Sequence, residues 1–347
     1  MIVFIINSIL AVFGVYISLK IFSKKRNRKE KGLCLMGGNY NDVLDGKFSK
    51  FFDIEIEMIG LVYYFFLLIG YVWLTFFGAI NYSALLTYLL IVTTIGFLFS
   101  LYLIFVQLVY TKKWCYWCLT SSIVTIIIFV LSLFSLETYQ NLVIIFLYEK
   151  IKVLSWLQII GIAIGTSAAT LSALFTIIFL KDFKIDLKEE KKLTVLDQMI
   201  WLSITLLIIT NLCFYIINPA DYKNSSQLLS QIGILIILLI NNSILSLYIA
   251  PKLIGIRIDM NSINVFRIFW LRQIALAMGI VSVISWYSIL LIGFFAGNTV
   301  MDFSQFISYY LAATFVAIVL TQIVIILFDK IKVDRIKISR DNIYKFR

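Results

Sequence analysis

Long apolar runs constrain this chain more than any other feature, because they recur along nearly all of its 347 residues. A bilayer core about 30 Å thick needs roughly 20 apolar residues for each helix that crosses it. Only two prolines occur, and each follows a predicted helix end, so the helices are predicted to be mostly unbroken. Nine spans are predicted, at about 2–22, 58–80, 84–111, 116–136, 153–180, 198–217, 227–249, 273–296 and 304–328.

The composition agrees with a membrane protein and excludes several chemistries. Hydrophobic residues make up 61% of the chain and charged residues 14%, whereas a soluble protein carries about 25% charged residues. Histidine is absent, which excludes a histidine general base and any haem, zinc or copper site with a histidine ligand. The fold class is therefore predicted as an all-α polytopic membrane helical bundle.

The basic residues predict an orientation. With nine crossings, 27 of the 30 Lys and Arg residues fall on one side of the membrane, and only Lys150, Lys152 and Lys223 fall on the other. The positive-inside rule places the basic side in the cytoplasm. The net charge of +11 is thus interpreted as contact with anionic lipid headgroups rather than with nucleic acid.

Three parts are predicted along the chain: a four-helix block to residue 136, an interfacial linker over 137–152, and a five-helix block over 153–347 with a basic C-terminal tail. The linker has too few apolar residues to cross a bilayer. The second block suggests no mechanism. Cys213 is expected to be a small core residue, and Asn211, Asn241 and Asn242 are expected to form interhelix hydrogen bonds rather than a transport site.

A pair of cysteines three residues apart is the main chemical lead. Cys115 and Cys118 lie where the basic Lys112 and Lys113 meet the start of the fourth helix. Free N–H groups at a helix N-terminus stabilise a thiolate on the first cysteine, and nearby lysines add to this effect. Cys118 is expected one turn deeper in the apolar layer, within reach of a disulfide with Cys115. A redox pair is favoured over a metal-binding pair or two inert cysteines.

A third cysteine, Cys34, lies in the loop between the first two helices, on the same predicted side as the pair. A loop thiol there can relay electrons from a partner protein to Cys115 by thiol exchange. Taken alone, it is more often a bystander.

Residues 34–64 (CLMGGNYNDVLDGKFSKFFDIEIEMIGLVYY), followed by CYWC at 115–118, resemble the vitamin K epoxide reductase family over about residues 1–136. The resemblance implies a four-helix bundle around a quinone, which forms disulfides in a thioredoxin-like partner and sends the electrons to the quinone. By position, Cys118 matches the cysteine next to the quinone, Cys115 the one that exchanges with the loop, and Cys34 the first loop cysteine. The aromatic residues expected around the quinone are Trp114, Trp117, Phe48, Phe52 and Tyr63; an interfacial aromatic belt is the alternative for each of them.

The sequence departs from the family pattern at three places. Tyr40 stands where the second loop cysteine is expected, Gly46 replaces a serine, and the Gly-x-Pro turn reads Asp53-Ile54-Glu55. Three routes remain open: a partner that reaches Cys115 directly, a relay through Cys34 alone, or a degenerate activity. Cysteines on the cytoplasmic side resemble the inverted members found in archaea.

The predicted function is therefore a membrane thiol-disulfide oxidoreductase that passes electrons from a partner dithiol through the cysteine pair to a ubiquinone- or menaquinone-type quinone. No thioredoxin-like domain is fused to the chain, so the partner is expected in trans. The alternative is a non-enzymatic transporter or receptor-like membrane protein with a degenerate redox block.

Overall fold

The computed structural model describes residues 2–26, 50–52, 54–78, 82–108, 115–182, 187–250, 252, 265–294 and 302–323. Within these ranges, nine helices are long and apolar enough to cross a membrane, which confirms the predicted number of spans and the all-α membrane fold. They are α1 (Ile2–Arg26), α2 (Ile56–Phe77), α3 (Ser83–Val106), α4 (Tyr116–Glu149), α5 (Ile151–Asp182), α6 (Leu187–Ile217), α7 (Ser226–Ile244), α8 (Val265–Phe294) and α9 (Phe303–Ile323).

Short elements join some of these helices. A two-stranded antiparallel hairpin, β1 (Lys50–Phe51) and β2 (Ile54–Glu55), leads directly into α2. A short helix, Pro219–Asn224, lies between α6 and α7, and a π-helical turn, Leu245–Ile249, extends α7.

Helix α4 is longer than predicted. It has 34 residues and ends at Glu149, so most of the segment predicted as a separate linker (137–152) is a continuation of α4. The segment contains no proline or glycine to stop the helix, and only a kink at Tyr139 (φ −117°, ψ 21°) interrupts it. The interfacial position of this segment stays a prediction.

The structure divides into two compact units. The first comprises residues 1–161 and 201–220, and the second comprises residues 162–200 and 221–347. Cys213, on α6, is 3% exposed and belongs to the core of the first unit. This burial confirms that it is a small core residue.

Within the first unit, α2 packs closely between two neighbours through adjacent tyrosines. The Tyr64 ring lies against Gly14 of α1, and the Tyr63 ring lies against Gly96 of α3. A Cβ atom at either glycine would overlap the facing ring. Glycine at these two positions therefore allows α2 to approach both helices and fixes where its tyrosines point.

Within the second unit, polar side chains link neighbouring helices. Asn241 Nδ2 donates to the Met278 carbonyl (3.0 Å), and Ser246 Oγ donates to Asp197 Oδ2 (2.7 Å). The interhelix bond predicted for Asn241 is thus confirmed. Asn211, in the first unit, donates to the Leu207 carbonyl of its own helix (2.7 Å).

Candidate active site

Cys115 is the N-cap residue of α4. Its backbone is extended (φ −86°, ψ 113°), its carbonyl accepts from the N–H of Leu119 (2.9 Å), and its Sγ accepts from the N–H of Cys118 (3.4 Å). The first N–H groups of a helix have no partner in the helix itself, so an N-cap acceptor satisfies one of them. The sulfur of Cys115 is therefore held over the first turn of α4, next to Cys118.

The two cysteines differ in burial within the protein. Cys115 is 0% exposed and lies in the core of the first unit, whereas Cys118 is only partly buried. Both are free thiols in the structure. Cys118 lies one turn further along the membrane-spanning helix than Cys115, so the predicted depth of Cys118 in the apolar layer stays a prediction, while the greater burial within the protein belongs to the N-cap residue Cys115.

The surroundings of Cys115 favour its thiolate. A hydrogen bond from the Cys118 thiol is the largest effect that lowers the pKa of Cys115, and backbone N–H groups of Cys118 and Trp117 add to it. Burial and the negative charge of Glu57 act in the opposite direction, but the net result is a pKa below the ordinary cysteine value. Since the thiolate is the species that attacks a disulfide, Cys115 is prepared for thiol exchange.

Glu57, in the first turn of α2, is a site residue that the sequence analysis missed. It is 7% exposed, and its charge acts on Cys115. The available signal was an acidic residue just inside an otherwise apolar helix, at the end of the bundle that also holds the cysteine pair.

Hydroxyl groups connect α2 to α4 beyond the cysteines. Tyr64 Oη donates to the Ser121 carbonyl (2.8 Å) and lies 2.9 Å from Thr125 Oγ1. Two helical turns further along α2, Tyr71 Oη lies 2.7 Å from Ser132 Oγ. Both tyrosines are at least 98% buried, so these bonds fix the register of α2 against α4.

Tyr63 differs from its neighbour Tyr64 because its buried Oη has no hydrogen-bond partner. The nearby Thr125 Oγ1 is already engaged by Tyr64 Oη and by the Ser121 carbonyl. A buried hydroxyl without a partner costs free energy unless a ligand supplies the missing hydrogen bond. The Tyr63 ring and its hydroxyl lie against Gly96 of α3.

The other residues predicted around a quinone are placed as follows. Phe52 lies in the turn between β1 and β2 with φ 50° and is 39% exposed, and its ring meets Phe51 edge-on (5.0 Å between centroids). Phe51 in turn meets Phe99 of α3 edge-on at 5.8 Å. Trp117 is partly buried beside Tyr116. Trp114, Phe48 and Cys34 lie outside the described residues.

The hairpin and Tyr63 contact the same helix. Phe51 lies against Phe99, and Tyr63 lies against Gly96, one turn away on α3. The structure therefore brings Phe51 and Tyr63 to one stretch of α3, and the Phe52 ring contacts the Phe51 ring. In the part of the chain that the structure describes, no three His, Cys, Asp or Glu side chains are grouped as a metal site.

Comparison with known proteins gives one match. The model of the Vitamin K epoxide reductase family matches residues 2–133, which include α1 to α3, the hairpin and the start of α4. No curated protein and no solved structure matches the chain.

Proposed function

Since residues 2–133 belong to the vitamin K epoxide reductase family, we propose that this chain oxidises a partner dithiol and passes two electrons through Cys115 and Cys118 to a membrane quinone. The family consists of membrane thiol-disulfide oxidoreductases that use quinones and typically work with a thioredoxin-like partner. The nine apolar helices make the chain an integral membrane protein.

The dithiol at the N-terminus of α4 carries the proposal. Cys115 Sγ accepts from the N–H of Cys118 and has a lowered pKa, so it is the sulfur suited to exchange with another disulfide or thiol. In the proposed cycle an incoming thiolate attacks Cys115 Sγ in the Cys115–Cys118 disulfide, and Cys118 leaves as a thiolate. A second thiolate from the donor then releases Cys115, which leaves the pair reduced and the donor oxidised.

Reoxidation of the pair uses the less buried sulfur. A bound quinone supplies an acceptor for two electrons and two protons. Cys118 keeps exposed surface where Cys115 has none, which suits it to face the quinone. Tyr63 would orient a quinone oxygen through its unpartnered Oη, and Trp117 and Phe52 would supply aromatic surface, with Trp114 and Phe48 proposed from the sequence alone.

The burial of Cys115 favours one of the three routes for electron entry. A residue with 0% exposure is out of reach of a sulfur on the surface of a folded partner. A second cysteine of the same chain, Cys34, is the alternative route that the sequence offers. We therefore assign the relay to Cys34, which accepts electrons from a thioredoxin-like partner and exchanges with Cys115.

The cysteines are proposed to face the cytoplasm, because the basic residues are concentrated on their side of the membrane. The accessibility of Cys34 to a reagent outside the cell tests this orientation. Labelling of Cys34 in intact cells by a membrane-impermeant maleimide is expected only after permeabilisation. Strong labelling of sealed cells would place the site outside.

The function is tested in membranes supplied with a quinone and a dithiol peptide. Cys115→Ser and Cys118→Ser are each expected to reduce quinone-dependent oxidation of the peptide by about 10³-fold or more, because each removes an atom of the reactive disulfide. Cys213→Ser is the matched control, since that cysteine is buried in the core of the same unit but is not part of the pair. Full activity in both site variants would leave the non-enzymatic alternative.

A further inference from the structure

One charged side chain is buried among the residues that the structure describes, and it lies at the level of the cysteine pair. Glu57 is 7% exposed, and every other buried polar residue in the described ranges is an uncharged Asn, Gln, Ser or Thr. Burial of a carboxylate inside an apolar bundle is costly, so its position calls for a physical explanation.

The register of α2 against α4 places Glu57 next to the cysteines. Tyr64 of α2 forms hydrogen bonds with Ser121 and Thr125 of α4, which lie 57 and 61 positions later in the sequence. Tyr71 forms one with Ser132, which also lies 61 positions later, so the two helices run parallel. Counting 61 positions on from Glu57 gives Cys118, and counting 57 positions on gives the residue just before Cys115. Glu57, Tyr64 and Tyr71 are spaced by seven residues and are all buried, so they form one row that faces α4.

The electrostatics of Cys115 agree with this placement, because the charge of Glu57 opposes the thiolate of Cys115. The other titratable side chains described near Glu57 on the neighbouring elements are Cys118, Glu55, Tyr63, Tyr64, and the exposed Tyr116 of α4 and Tyr16 and Lys20 of α1. Lys112 and Lys113 lie outside the described residues.

Resting on the function proposed above, we propose that Glu57 is the proton acceptor for the reduced cysteine pair. Cys115 is fully buried, so water does not reach its thiol, and the chain has no histidine to take the proton. When the pair is reoxidised, the two S–H bonds break and one Sγ–Sγ bond forms. Two electrons and two protons go to the quinone, which becomes a quinol. Glu57 takes the proton of Cys115 and passes it on, so that it is ionised again at the end of the cycle.

The decisive experiment compares two rates in Glu57→Gln: quinone-dependent reoxidation of the reduced pair, and reduction of the oxidised pair by dithiothreitol, which can attack the partly exposed Cys118. Loss of a proton acceptor is expected to slow reoxidation by about 10²-fold. Reduction is expected to be as fast as in the wild type or faster, because the charge that opposes the Cys115 thiolate is gone. A purely electrostatic or structural role predicts that the two rates change in the same direction.

Two further variants control for charge and folding. Glu55→Gln removes the same charge two residues away and is expected to change reoxidation by less than about 2-fold. Glu57→Asp keeps the carboxylate but shortens the side chain, and it is expected to reoxidise faster than Glu57→Gln and more slowly than the wild type. If Glu57→Gln does not fold, a wild-type rate in Glu57→Asp combined with a pH profile identical to the wild type overturns the proposal.

The outcomes also separate this inference from the function itself. Wild-type reoxidation in Glu57→Gln, with activity lost in Cys118→Ser, overturns the role of Glu57 and leaves the oxidoreductase intact. Activity retained in Cys118→Ser overturns the oxidoreductase instead.

Discussion

The two units of this protein use buried polarity differently. All four cysteines of the sequence belong to the unit formed by residues 1–161 and 201–220, and the sequence of the other unit contains none. In the first unit, a carboxylate, two thiols and an unpartnered phenol lie at one end of α2 and α4. In the second, bonds such as Asn241 to Met278 and Ser246 to Asp197 join pairs of helices. The proposed chemistry thus lies in the first unit, while the polar contacts of the second join its helices.

The relay through Cys34 is the largest effect expected after loss of the pair itself. Cys34→Ser is expected to slow oxidation of a thioredoxin-like protein by at least about 10-fold, because such a partner does not reach the buried Cys115. Oxidation of dithiothreitol, which is small enough to attack the partly exposed Cys118 directly, is expected to change little. Equal rates with both donors in Cys34→Ser and in the wild type would contradict the relay.

The neighbouring tyrosines of α2 give a matched pair within the first unit. Tyr64→Phe removes hydrogen bonds to Ser121 and Thr125 and is expected to lower the free energy of unfolding by about 1–2 kcal/mol. Tyr63→Phe removes a hydroxyl without a partner, so no loss of stability is expected, whereas the KM for quinone rises. Denaturation in detergent and quinone titrations measure the two effects. Loss of stability in Tyr63→Phe with an unchanged KM would show that its hydroxyl has a structural role.

The sequence predicted the helices of both units well but the site only in part. Hydropathy over twenty residues determines a span whatever it packs against, so all nine spans were predicted. The extension of α4 beyond Tyr139 was missed because a lower apolar content does not by itself end a helix. The position of Cys115 at a helix N-terminus was predicted from the spacing of the cysteine pair. Its burial and its proximity to Glu57 depend instead on the register of α2 against α4. That register is set by tertiary hydrogen bonds which no local pattern reveals.

The pH dependence of Cys115 sharpens the account of the first unit. Its lowered pKa means that the thiolate, measured by its ultraviolet absorbance, forms with rising pH through a midpoint below that of an ordinary cysteine. Cys118→Ala removes the largest effect that lowers this pKa and is expected to move the midpoint upward. Cys118→Ser keeps a donor and is expected to move it less. Identical midpoints in the two variants would mean that backbone N–H groups alone stabilise the thiolate.

The smallest effect is expected in the second unit. Asn241→Leu removes the bond to the Met278 carbonyl and is expected to cost about 0.6 kcal/mol of stability, a common value for interhelix hydrogen bonds in membranes. Quinone-dependent thiol oxidation should stay at the wild-type rate. A large loss of that activity in a folded Asn241→Leu protein would break the division of roles between the units.

The redox state of one peptide tests the central claim most directly. Trypsin cleaves after Lys113 and Lys150, so a single peptide contains both Cys115 and Cys118, separated from Cys213. Mass spectrometry of the protein incubated with quinone is expected to show this peptide with two hydrogens fewer and closed to alkylation, and a dithiol should restore both thiols. If both cysteines are still alkylated after exposure to quinone, the pair is not a quinone-linked redox centre.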